Sequence, residues 1–360
     1  MPNSIVIFLA IGYIALAFLI SLGMTPVSIW ISKKTGALDI PNDDRRMHKS
    51  PVPRLGGIAI FVSFVVCILV LQIMVSNGIA ADAVMGDTLG KLRAILISGA
   101  LIFVVGLIDD YKDIKARYKL IGQIVSAVLA FLLGVRIPAI ALFGWHFSAD
   151  SAGGIFISLI VTVFWLVAIT NMINLIDGLD GLASGISGIA ALAIAYTAYM
   201  NGYHTAAFAM AVLAGAALGF LPFNFYPAKV FMGDSGAMFL GFAIAAVSII
   251  SPAKGATVVA IIAPFLVLGV PAFDVVFAMI RRMIRRKPIF EADKGHLHHQ
   301  LTRIGIGQRR SAVMLYGISG IMGIAAILLS GGNILEAIGL FFIAVLFIIT
   351  LIWGWNKKDS

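Results

Sequence analysis

Four short polar clusters interrupt this sequence, and their side chains are the kinds that handle phosphate groups and divalent cations. In chain order they are Asp109-Asp110-Tyr111-Lys112-Asp113, Asn171-Met172-Ile173-Asn174-Leu175-Ile176-Asp177-Gly178-Leu179-Asp180-Gly181, Phe231-Met232-Gly233-Asp234-Ser235-Gly236 and His296-Leu297-His298-His299. Carboxylates and amides offer the oxygen ligands that hard cations take. Imidazole can donate to a phosphate oxygen.

Each cluster also has a plainer reading. Asp109 and Asp113 share a helix face if the helix continues through them, and a solvated helix end would account for both. Carboxylates at a helix C-terminus oppose the macrodipole, however, and adjacent acids raise one another's pKa. A bound cation or a proton-accepting role is therefore expected there. Asp180 can serve simply as an N-cap, whereas Asn171 and Asn174 are amides in an apolar helix end and need partners. Asp234 and Ser235 open the next apolar stretch, where either can be the N-cap. Alternatively, free N–H groups at that helix start receive a phosphate while Asp234 holds a cation and Phe231 offers a stacking face. The histidines lie in a loop without cysteine, after Arg281, Arg282, Arg285, Arg286 and Lys287. Those charges repel a zinc ion, so donation to an anionic phosphate fits better. Arg54, in Pro53-Arg54-Leu55-Gly56-Gly57, either meets an anion or belongs to a basic loop.

The elements that carry these clusters are apolar. Of 360 residues, 61% are hydrophobic and 12% charged, with mean hydropathy +1.03. A soluble domain is nearer a quarter charged, so an all-α polytopic integral membrane protein is expected. Eleven stretches approach the roughly 20 residues a spanning helix needs: 4–31, 55–77, 91–108, 119–135, 154–173, 182–200, 203–221, 236–251, 256–280, 311–330 and 333–354. The first lacks a basic flank and is too long for a signal-peptide core, which predicts a retained span. Pro264 and Pro271 predict a bent ninth span, and 136–153 reads as an external turn or small hairpin. Cys67 is the single cysteine, which excludes a disulfide framework.

All Lys and Arg except Lys91, Arg93, Arg136 and Lys254 fall in the loops 32–54, 109–119, 222–235 and 281–310 or in the C-terminal tail. This asymmetry predicts the N-terminus outside and the C-terminus cytoplasmic. It also accounts for the net charge of +9 without nucleic acid. Most acids follow the same loops, although topology does not require it. One transmembrane domain over 1–360, with a cytoplasmic site built from loops near 32–54, 109–119, 171–182, 222–236 and 281–310, is the expected organisation.

Taken together and in this order, the motifs resemble the polyprenyl-phosphate N-acetylhexosamine-1-phosphate transferase family. Pro53-Arg54-Leu55-Gly56-Gly57 and Asp293-Lys294-Gly295-His296-Leu297-His298-His299 look like its undecaprenyl-phosphate N-acetylglucosamine-1-phosphate transferase branch. The phospho-MurNAc-pentapeptide transferase branch is the alternative, but it usually carries a Thr-Met pair before the double glycine and three consecutive histidines. The resemblance implies transfer of a sugar 1-phosphate from a UDP-sugar to undecaprenyl phosphate, with release of UMP and with Mg2+ or Mn2+ as cofactor. It implies a multi-pass protein of the bacterial cytoplasmic membrane and leaves homodimer formation open. Matched by motif position, Asp234 would be a metal ligand, with Asn174 a second. Asp180, Asn224 and Phe231 would contact uridine, and Asn171 and Asp177 would belong to the same substrate site. Lys119, His296, His298 and His299 would contact phosphate or sugar, while Asp109 and Asp110 would position or deprotonate the lipid phosphate. A secondary transporter is the competing class, but its sites lie near the bilayer midplane. A lipid-binding scaffold has no need for paired carboxylates.

Overall fold

The computed structural model describes residues 3–40, 50–78, 86–142, 145–148, 151–251, 266, 268–269 and 306–356. In chain order these form α1 (Asn3–Thr35), β1 (Leu38–Asp39), β2 (Val52–Pro53), α2 (Gly57–Ser76), α3 (Gly86–Lys112) and α4 (Ala116–Leu132). There follow β3 (Ala139–Leu142), β4 (Trp145–Ser148), α5 (Ala152–Ile176), α6 (Leu182–Met200), α7 (His204–Asn224), α8 (Gly233–Ile250), α9 (Gln308–Ser330) and α10 (Ile334–Asn356). Lipid leaves no water to satisfy backbone polar groups, so apolar spans fold as helices that bond internally.

Among the described residues eight helices, α1, α2, α3 and α5 to α9, are long and apolar enough to cross a membrane. At 17 residues α4 is shorter than a full span. The expected ninth span, 256–280, lies outside the described residues except at Leu266, Leu268 and Gly269. Elsewhere the helices coincide with the expected spans to within a few residues. The largest difference is at α3, whose helix continues through Asp109–Lys112 beyond its apolar run. Two small antiparallel pairs qualify the all-α expectation. β3 and β4 form the hairpin expected within 136–153, and β1 pairs with β2 through Leu38↔Pro53 and Asp39↔Val52.

α7 and α8 form the centre of the bundle, and every residue from Ser235 to Ile250 is buried. A helix that is apolar all round belongs in such a position. Small residues let the neighbours approach. A methyl group on Gly215 of α7 would fall 2.3 Å from the Ile14 carbonyl oxygen of α1, and one on Gly241 of α8 would fall 2.7 Å from Thr170 Cα of α5. Phe239 of α8 meets Phe61 and Phe64 of α2 edge-on, with centroids 5.1 and 5.5 Å away, and Phe61 stacks on Phe103 of α3 at 4.1 Å. On α5, the Trp165 indole N–H donates to Ser248 Oγ at 3.2 Å, which adds a polar tie to α8.

These contacts predict that Gly215→Leu destabilises the protein by about 1–3 kcal/mol or more, since the added side chain meets backbone that cannot yield. Gly12 has nothing within 4 Å, so Gly12→Leu should change stability by about 0.5 kcal/mol or less. Thermal unfolding of both variants in detergent checks the contrast.

Candidate active site

Three of the four polar clusters converge at one end of the bundle, each delivered by a helix terminus. α3 ends at Lys112 because Asp113 takes a left-handed backbone, φ 44°. Asp109 and Asp113 therefore do not continue one helical face as the spacing suggested. Asp109 is buried, whereas Asp113 is exposed and pairs with Arg54 Nη1 at 3.2 Å.

Lys119, in the first turn of α4, donates from Nζ to Asp109 Oδ2 and to Asp234 Oδ2, both at 2.8 Å. Asp109 Oδ1 also accepts from the Ile114 backbone N–H at 2.8 Å. On the other side, Asn174 near the end of α5 donates from Nδ2 to Asp234 Oδ1. Residues 109, 119, 174 and 234, far apart in the chain, thus share one hydrogen-bonded centre.

Asp110 points elsewhere. Its side chain accepts from the Asp234 N–H at 2.7 Å, from the Ser235 N–H at 3.1 Å and from Ser235 Oγ. These bonds correct the expectation of free N–H groups at the start of α8, because a carboxylate already takes them. They also replace the expected N-cap, since helix α8 begins at Gly233 and its N-cap, Met232, makes no side-chain bond.

The remaining predicted residues divide between the centre and its support. Asp177 follows α5, half-buried; burial pushes its carboxyl well above the usual carboxylate range, and Asp234, Asp110 and Asp180 push it further. The N-cap of α6 is Gly181, with φ +78°, and not Asp180; Asp180 Oδ2 instead accepts from the Ala228 N–H at 2.9 Å. Asn224 is buried, accepting from Ser184 Oγ of α6 at 2.9 Å and donating to the Val230 carbonyl at 3.0 Å, so its amide ties the loop that leads to α8 to α6. Asn171 exchanges amide hydrogen bonds with Gln123 of α4, at 2.7 and 3.2 Å, and also donates to the Val167 carbonyl. Phe231 is half-buried, and its backbone N–H donates to Pro53 O at 2.8 Å while its carbonyl accepts from Gly56 N–H at 3.0 Å. His296, His298 and His299 lie outside the described residues.

Several site residues escaped sequence reasoning. Gln123 lies four residues after Lys119, one turn along the same face of α4, and an amide in an apolar run was the available signal. Arg54 was left open by its sequence; its Nε lies 3.9 Å from Asp110 Oδ1. Burial acts to lower the pKa of its guanidinium, but Asp110 and Asp113 outweigh burial and the net shift is upward. Tyr316 of α9 donates to the Gly181 carbonyl at 2.6 Å and closes the far side of the Asp180 turn. Nothing in the sequence around Tyr316 indicates this.

Comparison with known proteins agrees with the geometry. The family described as glycosyl transferase family 4 matches residues 92–252, which carry Asp109, Asn174 and Asp234. A Bacillus subtilis (strain 168) protein described as "Probable undecaprenyl-phosphate N-acetylglucosaminyl 1-phosphate transferase" is 36% identical over 338 residues, 93% of this chain and 90% of its own length. A Mycobacterium tuberculosis decaprenyl-phosphate N-acetylglucosaminephosphotransferase is 34% identical over 82% of this chain and 76% of its own. This chain belongs to the polyprenyl-phosphate N-acetylhexosamine-1-phosphate transferase family. A phospho-N-acetylmuramoyl-pentapeptide-transferase from Halalkalibacterium halodurans is 32% identical over 87% of this chain and 95% of its own, and marks a second branch. As a member of this transferase family the protein is an enzyme, and its polar centre coincides with the matched region.

The Asn171–Gln123 pair gives a structural test. Asn171→Leu leaves the buried Gln123 amide without its partner and should cost about 1–3 kcal/mol. Asn171→Leu combined with Gln123→Leu should recover most of that loss, because no polar group is then stranded. A thermal-melt comparison of the two single variants and the double checks this.

Proposed function

We propose that this enzyme transfers N-acetylglucosamine 1-phosphate from UDP-GlcNAc to undecaprenyl phosphate and releases UMP. An oxygen of the lipid phosphate attacks the phosphorus that carries the sugar, and the bond from that phosphorus to the bridging oxygen of UMP breaks. The observation that carries this reading is the shared centre of Asp109, Lys119, Asn174 and Asp234 at one end of an apolar bundle. Such a placement lets a lipid phosphate at the membrane surface meet a water-soluble nucleotide.

A phosphate ester already ionised near neutrality needs little general-base help. Rate enhancement then comes from aligning the two phosphates and neutralising their charge. Lys119 already balances two carboxylates and is placed to donate to a phosphate oxygen. Mg2+ binds through one or two carboxylates and substrate phosphates and needs no all-protein cage. This suits the described residues, among which no group of three or more His, Cys, Asp or Glu side chains encloses a common point. Asp234, with Asp109 and Asn174 beside it, would hold the ion, which when bound supplies Lewis-acid stabilisation of diphosphate charge.

The charge asymmetry of the loops supports a cytoplasmic site in the bacterial inner membrane, with the N-terminus outside. The placement of Asp109 in the last turn of α3 and Asp234 in the first turn of α8 favours surface chemistry over midplane transport. The relatives that share GlcNAc in their names support that sugar over the pentapeptide-bearing one.

Purified protein with Mg2+ should release UMP from UDP-GlcNAc only when undecaprenyl phosphate is present, and EDTA should stop the release. Asp234→Ala should lower the rate about 100–1,000-fold or more, as removal of a charge-stabilising group does, with melting behaviour unchanged. Full activity in that variant would remove the metal assignment. UDP-MurNAc-pentapeptide preferred over UDP-GlcNAc would move the enzyme to the second branch. For Phe231→Ala, weaker UMP binding by isothermal titration is expected; unchanged affinity would count against stacking.

A further inference from the structure

Asp109 and Asp110 are adjacent acids, yet the structure gives them different surroundings. Asp109 shares Lys119 with the Asp234 carboxylate. Among the described residues, Asp110 meets the start of α8 and the flank of Arg54. Its Oδ1 accepts from the Asp234 N–H, and its Oδ2 accepts from the Ser235 N–H and Ser235 Oγ. A carboxylate has about four lone-pair sites; three are filled here, and Arg54 Nε lies 3.9 Å from Oδ1.

There is also no room for a ligand between Asp110 and the helix. A methyl group on Gly233 would fall 2.6 Å from both Asp110 oxygens and 2.2 Å from the Arg54 carbonyl. One on Gly106, a turn earlier in α3, would fall 2.5 Å from Ser235 Cα. The end of α3 and the start of α8 are therefore in direct backbone contact, with the Asp110 side chain 0% exposed between them. α8 needs an acceptor here, since the first N–H groups of a helix have no partners within it and Met232 provides none. The backbone N–H that Asp110 holds is that of Asp234, whose side chain extends the other way to Lys119 and Asn174.

From this geometry we infer that Asp110 is a positioning residue: it caps α8 from a neighbouring helix, sets the direction of the Asp234 carboxylate, and does not touch the lipid phosphate. The catalytic part of the inference rests on the transferase reading; the cation part does not.

Full-length protein in detergent, titrated with Mn2+ alone and followed by electron paramagnetic resonance, reads the site without substrate. Steady-state kinetics with UDP-GlcNAc, undecaprenyl phosphate and Mg2+ run beside it. Asp110→Asn puts an N–H donor against the α8 donors and should weaken Mn2+ binding and lower kcat by about 10–100-fold, as loss of a ligand-orienting group does. KM for undecaprenyl phosphate should stay within about twofold, because the residue makes no substrate contact. Ser235→Ala removes one of the three bonds and should weaken Mn2+ binding about fivefold. The double variant should lie within about twofold of Asp110→Asn alone, since both changes break one interaction. A raised KM for undecaprenyl phosphate with Mn2+ binding unchanged overturns the inference and makes Asp110 a substrate contact. Independent, multiplying effects of the two substitutions overturn it as well. If Asp110→Asn does not fold, Ser235→Ala decides alone: unchanged Mn2+ affinity rejects the inference. Wild-type protein that binds Mn2+ but releases no UMP would remove the transferase reading and leave the cation arm of the test intact.

Discussion

A carboxylate from one helix, set against the first N–H groups of another, is the contact on which this site depends. Helix α8 is buried from Ser235 onward and its N-cap, Met232, makes no side-chain bond, so those donors need an acceptor from another element. In an apolar bundle an unmet donor is costly, and the α8 macrodipole adds its positive end at the same place. Asp110 answers both needs, and in doing so it fixes the end of α3 to the start of α8. Asp109 and Asp234 come together as a consequence, with Lys119 between them. A like-charge pair brought that close needs a cation, and the lysine supplies one from the protein itself.

Around that contact, backbone bonds join segments from both halves of the chain. Phe231 N–H reaches Pro53 O, and the N–H groups of Gly56 and Gly57 reach the carbonyls of Phe231 and Met232. On the other flank Asp180 receives the Ala228 N–H, and Tyr316 holds the Gly181 carbonyl. The loop between α7 and α8 is thus fixed by the Pro53–Gly57 segment on one side and by Asp180, 48 positions before Ala228, on the other, while Asn224 at the end of α7 donates to its Val230 carbonyl. Loops of this kind present functional groups only when a rigid frame holds them.

The balance of charge in the centre follows from the same construction. Burial raises the Asp177 carboxyl above the usual carboxylate range, and the nearby Asp234, Asp110 and Asp180 raise it further. Arg54 pairs with Asp110 and Asp113, and Lys119 pairs with Asp109 and Asp234.

Much of this was legible in the chain itself. Hydrophobicity is a local property, so runs such as 182–200 declare their length, and α6 occupies 182–200 as expected. Residue type is local too, which is why Asp109, Asn174 and Asp234 stood out before any fold was known. Partner choice is not local. A helix such as α8, apolar on every side, carries no stripe to tell which neighbour it meets. Packing alone turned Asp110 to the α8 backbone, paired Asn171 with Gln123 and set Asn224 between Ser184 of α6 and the Val230 carbonyl. Composition and spacing therefore determined that the protein spans a membrane and which polar side chains stand out as candidates for its chemistry. The tertiary structure decided which of those side chains face the site and which hold it in shape, because only the docking of helix on helix brings a donor within reach of its acceptor.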